Sequence, residues 1–218
     1  MRLFSSNFSP YATRVRIQIR KKNLPIDICP PEPALRTPAF KKAFPLGKIP
    51  VLLLDDGQHI AESLTIMHYL EAISSKTSLL SDDALNNAQL DQLARYADLH
   101  LGPALFPMFR ALLMGSEISV ENEINSLKSE LAKGEQLMKE LGSARSLHVA
   151  DIALATTMFF AVETPKLFTN EDILSSYPNL QQWWQWVCAD ADVEFGVYEM
   201  AQALDQFLQN QTIQSAQR

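Results

Sequence analysis

Pro45-Leu46-Gly47-Lys48-Ile49-Pro50-Val51-Leu52-Leu53-Leu54-Asp55-Asp56-Gly57-Gln58-His59-Ile60-Ala61-Glu62-Ser63 is the stretch whose reading decides the fold. Val51–Leu54 is an apolar run of strand length, Asp56-Gly57 is a tight-turn dipeptide, and Gln58–Ala61 supplies the returning strand. Ser63 then opens a helix and is placed to cap it, with Ile66, Tyr69, Leu70 and Ile73 on one face. Pro50, directly before the first of these strands, reads either as an ordinary trans proline at a strand start or as a cis bond. A cis bond would turn the Ile49 N–H and C=O away from the sheet and leave them for a ligand.

Upstream of this hairpin, Arg2–Ser5 reads as a strand and Tyr11–Lys22 as a helix. Pro10 suits the first turn of that helix, and Ala12, Val15 and Ile19 give it a buried stripe. Ile26–Cys29 is a second short strand, ended by Pro30-Pro31, and Pro38–Ala43 a short helix. The order β-α-β-α-β-β-α in about 75 residues implies a mixed sheet with helices packed on it. Residues 1–76 therefore read as an α/β domain and about 77–85 as a polar linker.

Downstream the pattern is helical, so residues 86–218 read as an all-α helical bundle domain. A helix starts near Asn86, and Gly102-Pro103 is expected to kink or interrupt it. Val120, Ile124, Leu127, Leu131 and Met138 fit a second amphipathic helix. Val149–Ala161 is more apolar all round and should be the central buried helix. Leu180–Cys188 carries Trp183, Trp184 and Trp186, which read as core and packing surface. A last helix spans about Val193–Leu208.

Composition narrows the partners. The net charge of −6 disfavours a nucleic-acid partner, since phosphate binding needs a basic face. No apolar run approaches the roughly 20 residues that span a bilayer, and no secretory leader is expected at the N-terminus. Two cysteines, Cys29 and Cys188, are too few for a disulfide framework. They read as reduced, partly buried thiols of a cytoplasmic protein. His59, His68 and His100 show no metal-ligand spacing.

Besides the Ile49–Pro50 segment, two short motifs carry chemistry. Glu62 and Ser63 lie where a strand hands over to a helix, so the helix N-terminus can hold a carboxylate while Glu62 pairs with an ammonium group. That corner suits an α-amino acid. Ser9, in Ser9-Pro10-Tyr11-Ala12, stands at the N-terminus of the first helix, where partial positive charge collects. A hydroxyl there can donate to a thiolate and so lower a thiol pKa. Read singly, each of these two motifs is better explained as a plain helix cap.

Together, in this order, Ser9-Pro10-Tyr11-Ala12, Pro45–Leu52 and Glu62-Ser63 resemble a cytosolic glutathione transferase of the serine-type, bacterial-like kind. Val149-Ala150-Asp151-Ile152-Ala153 and Tyr177-Pro178-Asn179-Leu180 with Trp183 are similar to the family's C-terminal domain. The resemblance implies a thioredoxin-like N-terminal domain, an all-helical C-terminal domain and a homodimer. It implies no tightly bound cofactor, with glutathione as co-substrate and a small apolar electrophile as its partner in a detoxifying transfer. Ile49, held by Pro50, would pair with the cysteinyl main chain. Glu62 and Ser63 would hold the γ-glutamyl end, Lys48 and Arg36 the glycyl carboxylate. Ser9 would stabilise the thiolate, and Ser5, Ser6 and Tyr11 are the rival hydroxyls.

Position 9 is not cysteine and the first strand has no tyrosine, so neither an enzyme-cysteine nor a tyrosine mechanism is expected. Peroxide or disulfide reduction, or a non-catalytic regulatory or assembly role, are the alternatives. Tyr11, Leu99, Phe106 and Phe109, with Leu113, are candidates for the electrophile pocket, and the last four read equally as core. One departure concerns His148, which stands where the family's capping box has Ser or Thr. Histidine is a poorer cap, which puts local stability there in question, although Asp151 can still favour the helix terminus.

Overall fold

The computed structural model describes residues 1–142 and 145–216, which form two compact units. One comprises residues 1–78 together with the last helix; the other comprises Leu79–Asp190.

In the first unit the elements are β1 (Arg2–Phe4), α1 (Pro10–Lys21), β2 (Asp27–Cys29), α2 (Pro38–Ala43), β3 (Val51–Leu53), β4 (His59–Ala61), α3 (Ser63–Ile73) and the last helix, α9 (Ala191–Ala216). The four strands form one mixed sheet in the order β2-β1-β3-β4. β2 runs parallel to β1, whereas β3 is antiparallel to both β1 and β4. The expected β-α-β-α-β-β-α order is thus observed. Phe4, Phe40, Phe44 and Val51 form a buried cluster under the sheet, with Ile49 packed against it.

α1 departs from the simple stripe. Every residue from Ala12 to Ile19 is buried, including Arg14 and Arg16. The reason is packing on two sides: α3 covers one face and α9 another. Gly196 of α9 permits the second contact, because a Cβ there would stand 2.6 Å from Ile17 Cγ1. The buried face of α3 also differs from the expected one. It is formed by Ile66, Met67 and Leu70, while Ile73 is 45% exposed beyond the last buried turn.

The second unit contains α4 (Ala84–Tyr96), α5 (Gly102–Met114), α6 (Val120–Leu141), α7 (Val149–Glu163) and α8 (Pro178–Cys188). The interruption expected at Gly102-Pro103 is a single wide turn, Ala97–Leu101, in which the Gly102 N–H reaches back five residues to the Ala97 carbonyl. Widening the turn relieves the clash between the Pro103 ring and the carbonyl four residues earlier, so the helix continues rather than breaks. α7 is buried from Val149 through Ala161. Of the three tryptophans only Trp183 is fully buried.

His148 is the cap of α7. Its Nδ1 accepts from the Ala150 N–H at 3.2 Å, and the Asp151 carboxylate accepts from the His148 N–H at 2.9 Å. A capping box therefore forms with histidine as its first member. The ring is fixed because Nε2 lies 2.9 Å from Asn87 Oδ1. With Nδ1 accepting, Nε2 must be the protonated nitrogen that donates to Asn87. Asp151 is also paired with Arg145 and accepts from Trp183 Nε1 at 2.9 Å, so its buried charge is fully engaged.

Candidate functional site

The sheet register gathers most of the sequence-nominated residues at one end. Phe4 pairs with Cys29, Phe4 with Val51, and Val51 with Ala61, so these four residues form one cross-strand row. Each row member is a strand terminus. The chain leaves Phe4 toward Ser9, leaves Cys29 toward Arg36, enters Val51 from Lys48-Ile49-Pro50, and leaves Ala61 into Glu62-Ser63. Seven nominated residues, separated by up to 54 positions, thus lie in segments that emerge from a single edge of the sheet.

Ser9 caps α1. Its Oγ accepts from the Ala12 N–H at 3.2 Å, and its carbonyl accepts from Thr13 N and Thr13 Oγ1, both at 2.9 Å. A hydroxyl that accepts through oxygen still has its hydrogen to donate. The helix terminus adds partial positive charge at the same point. The rival Ser5 is buried, and its Oγ accepts from Arg16 Nη1 at 2.6 Å. Ser6 is exposed, and its Oγ accepts from the Phe8 N–H at 3.4 Å. Tyr11 is half-buried with its ring 4.9 Å from the Arg14 guanidinium carbon.

Ile49–Pro50 is a cis peptide, as is Glu32–Pro33. Ile49 is half-buried and Pro50 buried; Lys48 and Arg36 are exposed. Glu62 is exposed with φ +67, a left-handed value that an L residue adopts only where its surroundings impose it. Such strain concentrates at functional sites. One detail differs from expectation: Ser63 does not cap α3. The capping position is Glu62, whose side chain makes no capping bond, and Ser63 is the first helical residue. Its hydroxyl is buried and instead accepts from Arg14 Nη1 at 3.4 Å. The first-turn N–H groups of α3 are therefore not capped by a side chain from position 62.

The sequence reading overlooked Arg14 and Arg16. Their signal was present, since Arg14-Val15-Arg16-Ile17-Gln18-Ile19 alternates polar and apolar residues and leaves the helix no solvated face. Burial pushes the Arg16 guanidinium below its ordinary pKa, and the adjacent Glu199 carboxylate opposes that shift.

The remaining nominated residues belong to the second unit. Leu99 and Phe106 are 57% and 50% exposed. Phe109 is half-buried, with its ring edge-on to Phe160 at 5.2 Å between centroids. The same unit has an apolar cleft of about 650 Å³ beside Tyr96, His100 and Leu137. Tyr96 donates to the Glu130 carbonyl at 2.8 Å, and burial, with Glu130 next, raises its pKa. Among the described residues no group of three His, Cys, Asp or Glu side chains is arranged to hold a metal ion, and no helix is long and apolar enough to cross a membrane.

A four-stranded mixed sheet of this order, flanked by helices and followed by a helical bundle, defines a thioredoxin-like domain joined to an all-helical one. Residues 3–78 match the family model described as glutathione S-transferase, N-terminal domain. A glutathione S-transferase structure from Methylobacillus flagellatus KT, solved with glutathione bound, has the same fold. It superposes with a TM-score of 0.73 at 24% identity, covering 89% of this chain and 98% of that one. A maleylacetoacetate isomerase of Pseudomonas aeruginosa is 32% identical over 94 residues, 41% of this chain and 44% of that protein. An elongation factor 1-gamma of Artemia salina is 27% identical over 158 residues, 68% of this chain and 34% of its own length. The chain therefore matches less than half the length of these two curated relatives.

Proposed function

We propose that this chain is a serine-type glutathione transferase that binds glutathione along the Phe4–Val51–Ala61 end of its sheet and activates the thiol with Ser9. The observation that carries the proposal is the shared cross-strand row, which supports a ligand spanning the segments around Ser9, Ile49 and Glu62. Ile49 pairs with the cysteinyl main chain, and Pro50 holds that segment. Glu62 takes the γ-glutamyl ammonium and Ser63, with the first-turn N–H groups of α3, takes its carboxylate. Lys48 and Arg36 meet the glycyl carboxylate. The thiolate attacks a small apolar electrophile. The proposal includes a glutathione-binding domain of residues 1–76, a linker of about 77–85 and a helical domain of 86–218. It also includes a cytoplasmic homodimer with a detoxifying role.

The thiol chemistry has a definite scale. A free thiol with pKa about 8.5 is a few per cent ionised at neutral pH, and lowering it by about two units requires about 2.7 kcal/mol. One oriented hydroxyl at a helix N-terminus is of that order. Ser9→Ala is expected to lower turnover on 1-chloro-2,4-dinitrobenzene by about 10–1000-fold, the scale of one oriented donor. The KM for glutathione should change little. Unaltered turnover would remove Ser9 from the mechanism.

A non-catalytic assembly module is the second reading, favoured by the likeness to an elongation factor 1-gamma. Calorimetric titration with millimolar glutathione separates the two: heat of binding supports the transferase, and its absence supports the module.

A further inference from the structure

The β1–α1 loop, residues 5–9, is held from behind by a buried charge on α1 and by the last helix of the chain. Arg16 is 1% exposed. Its Nη1 donates to Ser5 Oγ at 2.6 Å and to the Ser6 carbonyl at 3.1 Å, and its Nη2 donates to Thr13 Oγ1 at 2.9 Å. Thr13 Oγ1 in turn donates to the Ser9 carbonyl. One guanidinium thus reaches the loop at its start and, through Thr13, at Ser9. The charge is balanced by Glu199 of α9, whose Oε2 lies 3.3 Å from Arg16 Nε and 3.0 Å from Arg20 Nη1. A second contact holds the loop from the same helix: the Phe8 ring lies 5.2 Å from the Phe207 ring.

A planar five-donor fork fixes direction as well as charge, which a lysine ammonium cannot do. Burying a charge is costly unless every bond is made, so this arrangement is demanding for a role that an apolar residue could fill. What the fork adds over an apolar residue is the geometry of residues 5–9.

We propose that Arg16 is a positioning residue for Ser9, and that α9, through Glu199 and Phe207, is part of the apparatus that presents the Ser9 hydroxyl to the glutathione thiol. This rests on the reading of Ser9 as the thiol-activating residue. Arg16 touches neither thiol nor electrophile; it acts by holding the loop.

The test is a double-mutant cycle on glutathione conjugation to 1-chloro-2,4-dinitrobenzene, with kcat and the KM for glutathione followed across pH. Arg16→Lys keeps the charge and loses the fork. It is expected to lower kcat about tenfold or more, in line with the cost of displacing a catalytic group by a fraction of an ångström. KM for glutathione should stay within about twofold, and the pH at which kcat/KM rises should move upward. In a Ser9→Ala background the same substitution should have no further effect on kcat, because the group it positions is gone. Phe207→Ala, which leaves the buried charges intact, should show the same pattern with a smaller loss, and carries the test if Arg16→Lys does not fold. Equal losses of kcat in the wild-type and Ser9→Ala backgrounds would overturn the proposal, as would wild-type kcat in the variants. A wild-type chain that binds no glutathione would instead overturn the underlying reading, and a wild type that conjugates while Ser9→Ala is fully active would overturn the Ser9 assignment.

Discussion

Helices α1 and α7 are both buried over most of their length, yet they use buried charge differently. α7 carries no charge through its middle, and its buried ionic group, Asp151, sits in the first turn, bonded to Arg145, Trp183 and the His148 N–H. That cluster satisfies the helix start and ties α8 to it. α1 carries Arg14, Arg16 and Gln18 in its middle turns, and their bonds run outward to Ser63, to the Ser5–Ser6 loop and to the Met67 carbonyl. The charge in α7 ends a helix, whereas the charges in α1 hold the segments that flank the sheet end. The comparison teaches that what a buried charge holds matters more than its burial: Asp151 closes the start of its own helix, whereas Arg14 and Arg16 reach segments that leave the sheet end.

Substitutions at three positions test that division. The largest effect is expected from Asp151→Ala, which leaves Arg145 and the Trp183 N–H without their buried partner. Removing one member of a buried pair costs about 3–5 kcal/mol, so the urea midpoint should fall sharply while the remaining folded protein keeps its turnover. A comparable loss of kcat in the folded fraction would break the contrast between the helices. Gly196→Ala comes next, since the added Cβ would press on Ile17 Cγ1 and Cδ1 at 2.6 and 2.7 Å. Overpacking of this kind costs about 1–3 kcal/mol, and because it displaces α1 from α9 it should also lower kcat. His148→Ala is the smallest, about 0.5–2 kcal/mol for a lost cap. His148→Ser should recover most of that loss, as judged by thermal unfolding, with activity unchanged throughout.

The legibility of this fold in its sequence follows the same line. The hairpin around Asp56-Gly57 and the strand-helix order were readable because Pro, Gly and short apolar runs mark them locally. Ser9 was readable as a helix cap for the same reason. Three features depended on tertiary partners and were not. Arg16 gains its role from Ser5 and Glu199, the latter 183 positions away. Ser63 looks like a cap but gives its hydroxyl to Arg14. His148 looks like a weak cap, but Asn87, on another helix, fixes its ring. The wide turn before Gly102 was half-legible: proline announced a disturbance, and only the surrounding helix determined that the chain would absorb it.

The most direct test is the ionisation of the bound glutathione thiol, followed by ultraviolet absorbance as pH is varied at saturating glutathione. For the wild-type chain, ionisation should be centred about two units below that of free glutathione, whose thiol has a pKa of about 8.5. In Ser9→Ala the transition should return toward the free value while glutathione remains bound. Coincident transitions for wild type, Ser9→Ala and free glutathione would contradict the account.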